Sequence, residues 1–189
     1  MRLRELRHED QDMLRAWRNQ PDVAAYMYTD HQISEEEHAR WFAAALADPR
    51  RRYWIFNHLG QDVGLGCFYD LDLKHRRTNS AFYLARTSAR GRGAGAMAEY
   101  ALMIEAFDRL QLNKVTCEVF EENRSVVKGH ETFGFVQEGL LRQHVIKSGR
   151  PRNVVVMGVL RQDWLARRDE VSARITRIAE RAERQETAC

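Results

Sequence analysis

Cysteine and proline are scarce, with three of each in 189 residues. Cys67, Cys117 and Cys189 are too few for the disulfide framework of a small secreted fold, and they show no metal-type spacing. Cys67 and Cys117 fall inside apolar strand patterns, where a free thiol packs as a small hydrophobe, so a reducing, cytoplasmic setting is expected. No uninterrupted run of about 18 apolar residues occurs, which excludes a helical membrane span. Met1-Arg2-Leu3-Arg4 also lacks the apolar run of a signal peptide. No repeat, low-complexity tract or Pro/Gly/Ser-rich linker divides the chain. A dominant charge is missing too: 30 basic residues stand against 27 acidic ones, scattered rather than gathered in runs, and this gives no reason to expect a nucleic-acid partner. What remains is length enough for one domain with a substantial core.

The chain is organised around Ala89-Arg90-Gly91-Arg92-Gly93-Ala94-Gly95-Ala96, followed at once by helical periodicity over residues 97–109. Glycines let the backbone take positive φ and come close to a ligand, and the first N–H groups of the following helix have no intrahelical acceptor. With the helix dipole and a nest of successive amides, such a loop favours phosphate or pyrophosphate, and Arg90 and Arg92 add charge. A Cβ at Gly93 or Gly95 would block backbone approach to that group.

Two readings of the loop compete. Gly91 to Ala96 fits the dinucleotide pattern G-x-G-x-x-G/A, with Glu118 or Glu121 as a downstream ribose acid. In that pattern the glycines follow the first strand almost directly, whereas here residues 85–90 intervene after the apolar strand Ala81-Phe82-Tyr83-Leu84, and two or three strands precede it. The second reading, R/Q-x-x-G-x-G/A, is matched by Arg90-Gly91-Arg92-Gly93-Ala94-Gly95 and resembles the pyrophosphate loop of the GCN5-related N-acetyltransferases (GNAT). Asn123-Arg124-Ser125-Val126-Val127-Lys128-Gly129-His130-Glu131-Thr132-Phe133-Gly134-Phe135 is similar to that superfamily's second motif, in the right order and separation. The resemblance implies acetyl-CoA as cosubstrate, no metal, and pyrophosphate held by Arg90 through Ala96. It assigns pantetheine and oxyanion contacts to backbone around Tyr83, Leu84 and Ala85, with a further pantetheine contact from Asn123.

In chain order, charged and apolar residues alternate over residues 2–6 as in a short strand, and Met13, Leu14 and Trp17 then share a helix face. Ser34-Glu35-Glu36-Glu37 reads as a capping box opening a second helix, with His38, Trp41, Phe42 and Ala45 on one face. Strands are expected around 53–56, 63–68 and 79–84, a half-buried one through Val115, Cys117 and Val119, then 136–147 and 152–160. Val171, Ile175, Ile178 and Ala182 form a seam on a charged helical tail, and that seam wants a partner: this domain, or a second subunit in a homodimer. The expected fold is a single α/β (α+β) domain, residues 1–160, with a helical extension over 161–189. Its sheet is mixed and of about seven strands, with helices on both faces, and the GNAT resemblance implies that it is mostly antiparallel and splayed into an acetyl-CoA cleft.

Acetyl transfer to an amine needs a positioned neutral nitrogen, donors for the oxyanion, a route for the amine's proton and a proton for the departing thiolate. Where many GNAT relatives carry a glutamate base, this chain has Ser80, which can orient an amine or a water leading to Asp70, Asp72 or Glu118. Where relatives carry a tyrosine acid, seven residues after Asn123, it has His130. Imidazolium, with an ordinary pKa of ~6.5, can protonate a thiolate whose acid lies near ~8.5.

The N-terminal half carries the acceptor signal. Trp17-Arg18-Asn19-Gln20-Pro21-Asp22-Val23, Met27-Tyr28 and Ile33 to Trp41 resemble the PseH-type acetyltransferases of pseudaminic acid synthesis. That resemblance implies a UDP-linked amino-dideoxy sugar as acceptor, contacted by Arg18, Met27, Tyr28 and His38. Two alternatives stay open: a GNAT acetyltransferase of protein N-termini, ribosomal proteins or another small amine, and a non-catalytic acyl-CoA-binding module.

Overall fold

A computed structural model describes residues 1–89 and 93–187. Arg90, Gly91 and Arg92, assigned above to the pyrophosphate, lie outside the described residues. The chain runs β1 (Arg2–Glu5), α1 (Gln11–Arg18), a short α2 (Pro21–Ala24), α3 (Glu35–Ala47), β2 (Arg52–His58), β3 (Gln61–Asp72) and β4 (Arg77–Leu84). After the glycine loop come α4 (Ala94–Met103), which continues as a π-helical turn over Ile104–Arg109, then β5 (Lys114–Phe120), α5 (Arg124–Glu131), β6 (Val136–Lys147), β7 (Arg150–Leu160) and α6 (Arg161–Thr187). No described helix is long and apolar enough to cross a membrane.

The seven strands form one sheet in the order β1-β2-β3-β4-β5-β7-β6, the single-domain α/β (α+β) architecture that the sequence leads one to expect. Every neighbouring pair is antiparallel except β4 and β5, which run parallel and pair only from Arg77↔Lys114 to Asn79↔Thr116. From Ser80 onward β4 leaves β5, and the sheet opens into a wedge. Period-2 alternation supplies both faces. Trp54, Phe56 and Phe68 enter a core under α4 and α6, while Ile55 and Leu65 enter a second one with Leu14, Trp17 and Phe42 of α1 and α3.

Local chemistry sets the element ends. Ser34 Oγ accepts from Glu37 N at 3.2 Å and opens α3, but the reciprocal half of the expected capping box is not made, because the Glu37 carboxylate is drawn to His31 Nε2 at 2.9 Å. The seam on α6 is filled by its own domain: Val171, Ile175 and Ala182 are buried, and Ile178 packs against the main core. Trp164 anchors this helix, fully buried and stacked on Phe133 (6.4 Å) and on Phe107 of the π-helical turn (6.3 Å). Gly93 sits at φ +80 directly before α4, and a Cβ there would overlap the Ile178 methyl group.

Candidate active site

The wedge between β4 and β5 is a cleft of about 740 Å³. Its walls are β4 from Ser80 to Leu84, β5 from Cys117 to Phe120, the first turns of α4, the face of α5 carrying Asn123, Gly129 and His130, and Arg174 and Ile178 of α6. Gly95 and Ala96 lie on the cleft at the start of α4, where amides without intrahelical acceptors and the helix dipole face the opening. A Cβ at Gly95 would meet nothing within 4 Å, so open space lies above this turn. An acyl-CoA fits these walls: amides for pyrophosphate, and a strand edge without a ladder partner for the pantetheine arm. Among the described residues no cluster of three or more His, Cys, Asp or Glu side chains is placed to hold a metal ion.

The expected cofactor residues divide. Leu84, Gly95, Ala96 and Asn123 line the cleft. Ala94 is buried in the core, and Ala85 is buried with its N–H donated to Val63 O at 2.8 Å, so its amide is committed to the sheet. Asn123 precedes α5 but makes no side-chain cap; its Oδ1 accepts from Ser125 Oγ at 3.2 Å, and the side chain stays at the cleft wall.

Among the proton-handling candidates, Ser80 is buried at the apex of the wedge, with its Oγ 3.5 Å from Thr116 O. Asp70 pairs with Arg50, and Asp72 pairs with Arg77 while accepting from His75 N; neither lines the cleft. Glu118 does, and it accepts a 2.6 Å hydrogen bond from Tyr28 OH.

His130 is 6% exposed on the inner face of α5, between the rings of Phe82 and Phe135. Its Nδ1 lies 3.0 Å from Oε2 of Glu99, an α4 residue itself 4% exposed. The approach is off the line of the N–H, so this is an ion pair rather than an in-line hydrogen bond. Burial pulls the imidazolium pKa down, but the Glu99 carboxylate and, beyond it, the Cys117 thiol outweigh that and hold it well above the ordinary histidine range. Burial pushes the Cys117 thiol up, so it stays protonated at neutral pH.

A second cavity of about 300 Å³ adjoins the cleft, sharing Met27, Ala81, Phe82 and Tyr83 with it. Arg18, Met27 and His38 all line it; Tyr28 does not, facing the main cleft instead. Arg18 donates to Thr29 Oγ1 at 3.2 Å, and no carboxylate among the described residues pairs with it. Burial lowers its pKa. His38 is buried with neither ring nitrogen hydrogen-bonded, and burial, then Arg15 and Arg18, depress its pKa, so it presents a neutral imidazole. Tyr83 OH is likewise buried and unpartnered.

Lys147 passed unnoticed in the sequence. Its Nζ donates to the carbonyls of Ala24, Met27 and Thr29 at 2.8–2.9 Å, and Ser148 N donates to Asp30 Oδ2 at 2.6 Å. The β6–β7 hairpin thereby fastens the segment that carries Met27 and Tyr28.

A sheet parted between two parallel strands, with a glycine-opened helix at the parting and an acid in the cleft wall, defines an acyl-CoA-dependent acyltransferase. Residues 1–136 match the acetyltransferase (GNAT) domain, and the chain belongs to that family. It is an N-acetyltransferase with acetyl-CoA as cosubstrate. The chain is similar to acetyltransferase PseH of Campylobacter jejuni, 26% identical over 66% of this chain and 75% of that protein. It is also similar to the spermidine N(1)-acetyltransferase of Escherichia coli, 24% identical over 88% of this chain and 89% of the other. A Vibrio cholerae spermidine N-acetyltransferase structure in complex with CoA and spermine shares the fold, with a TM-score of 0.80 at 22% identity, over 87% of this chain and 97% of that one.

Proposed function

We propose that the enzyme acetylates the amino group of a UDP-linked amino-dideoxy sugar of the kind used in pseudaminic acid synthesis. The observation that carries this reading is Arg18, a half-buried cation without a carboxylate partner among the described residues, beside a neutral His38 and a Tyr83 hydroxyl likewise unpartnered among them, in a cavity next to the transfer cleft. Buried polar groups left unpaired in a protein are commonly paired by its ligand. A diphosphate answers the guanidinium, a uracil supplies donors and acceptors for the imidazole and phenol, and Met27 and Trp41 offer apolar surface to its ring. A polyamine would bring like charge to Arg18, a repulsion of roughly 4 kcal/mol at 4 Å in a medium of effective dielectric about 20.

Glu118 stands where the wedge begins and is the carboxylate placed to take the amine's proton, directly or through a water oriented by Ser80. His130, which also lines the cleft from α5, is the acid for the departing thiolate.

Thiol release from acetyl-CoA, measured with a UDP-linked 4-amino sugar, spermidine and an N-terminal ribosomal-protein peptide, tests the proposal. The sugar nucleotide should be preferred, and free UDP should inhibit competitively against it and raise the Tm. Preference for spermidine with no response to UDP would give the acceptor cavity to a polyamine, and preference for the peptide would give it to a protein terminus.

A further inference from the structure

The cleft holds one expensive arrangement. A carboxylate on the inward face of α4, among Met97, Ala98, Leu102 and Met103, is desolvated at a cost of several kcal/mol unless it is paired. Among the described residues Glu99 is paired with His130 alone, and both residues open onto the cleft. We infer that Glu99 is a positioning residue for the acetyl-transfer reaction, holding the His130 imidazole in its protonated form on the wall where the thiolate departs.

The inference rests on the reading of His130 as the acid and goes beyond it by explaining how a histidine can serve there. A phenol is neutral when it carries its proton, so a buried tyrosine keeps that proton without help. An imidazole is charged when it carries its proton, so at the same buried site it sheds it. A histidine at residue 130 therefore needs an anion, and Glu99 is that anion. The groups facing the ring are Glu99 from α4, the Cys117 thiol from β5, and the Phe82 and Phe135 rings; Glu99 is the one carboxylate among them. The proton leaves Nε2 or Nδ1 of the imidazolium for the CoA sulfur, which gives a neutral imidazole and free thiol, and solvent at the cleft mouth reprotonates the ring before the next turnover.

The test uses Glu99→Gln, His130→Tyr and the double variant in the full chain. Titration of the His130 imidazole by NMR should give a midpoint well above ~6.5 in the wild-type protein and a lower one in Glu99→Gln, where the Cys117 thiol is left to oppose burial without the carboxylate. In single-turnover thiol release with the responding acceptor of the three-member panel, Glu99→Gln should lower the rate at pH 8 by ~10²-fold and move the alkaline limb down. In the His130→Tyr background the same change should leave the rate at pH 8 unaltered, because a buried phenol keeps its proton there without an anion beside it. An unmoved midpoint in Glu99→Gln, or an equal rate loss in the tyrosine background, overturns the inference. If His130→Ala alone keeps the wild-type rate and limb, the acid assignment falls, while the NMR midpoint still decides whether Glu99 holds the proton.

Discussion

Burial has opposite consequences for the two acids that can occupy residue 130. It raises the pKa of a phenol, as it does for Tyr83 and Tyr69 here, and lowers that of an imidazole, so the two fail at opposite ends of the pH scale. With Glu99 overriding burial, His130 stays cationic through neutrality and stops donating only as pH climbs through its raised value. His130→Ala should therefore lose ~10²-fold in single-turnover rate and its alkaline limb, while His130→Tyr keeps a limb that follows the phenol. The same proton contributes stability. A group whose folded pKa is raised stabilises fully below its unfolded value of ~6.5, and the contribution disappears as pH rises through the folded value. The Tm advantage of the wild-type protein over Glu99→Gln should accordingly be largest near pH 6 and shrink across the alkaline range, as scanning calorimetry would show. At residue 18, Arg18→Met should raise the acceptor KM by at least about tenfold and leave that of acetyl-CoA nearly unchanged, the signature of ground-state binding to one substrate.

Elements come together here through a few side chains whose sequence positions advertise nothing. Lys147 ends β6 as an ordinary strand lysine would, yet three carbonyls of the 24–29 segment depend on it. Lys147→Met should strand those partly buried acceptors, destabilise by about 1 kcal/mol in denaturant titration, and raise the acceptor KM more than that of acetyl-CoA. The two glycines on the helix side of the loop, Gly93 and Gly95, now separate into different experiments. Gly95→Val places its side chain in open space and should fold with an unchanged Tm while losing CoA binding in calorimetry. Gly93→Val must both force a β-branched residue into positive φ and push Ile178 away, so it should lower the Tm as well. The loop and the Asn123 motif are legible in the sequence because each is local: glycine, charge and helix start stand side by side. The Glu99–His130 pair and the Lys147 clamp are not, because a glutamate on a helix and a lysine at a strand end read as solvated until the sheet brings distant residues against them. The capping box at Ser34 shows the reverse, since a local rule gave way when the His31 imidazole offered Glu37 a competing partner.

At the scale of the whole molecule, the sheet supplies the cleft and α6 completes it. The strand count and the mixed topology follow from alternation and turn spacing, but where the tail helix packs is decided by Trp164 meeting Phe107 and Phe133, residues far from it in the chain. Ending the chain after Glu170 keeps Trp164 and removes Val171, Ile175, Ile178 and Arg174. Such a protein should fold with a reduced Tm and bind CoA more weakly than the full chain, with a calorimetric titration as the measure. The contact of Ile178 with the loop glycine also gives the site an order of manufacture. The glycine loop and α4 are translated well before α6, whose 27 residues take roughly 1 to 5 s to add at about 5–20 residues per second. Throughout that interval the nascent chain carries a cofactor loop with one wall missing, so a polypeptide released early by the ribosome is a polypeptide with an unfinished cofactor site.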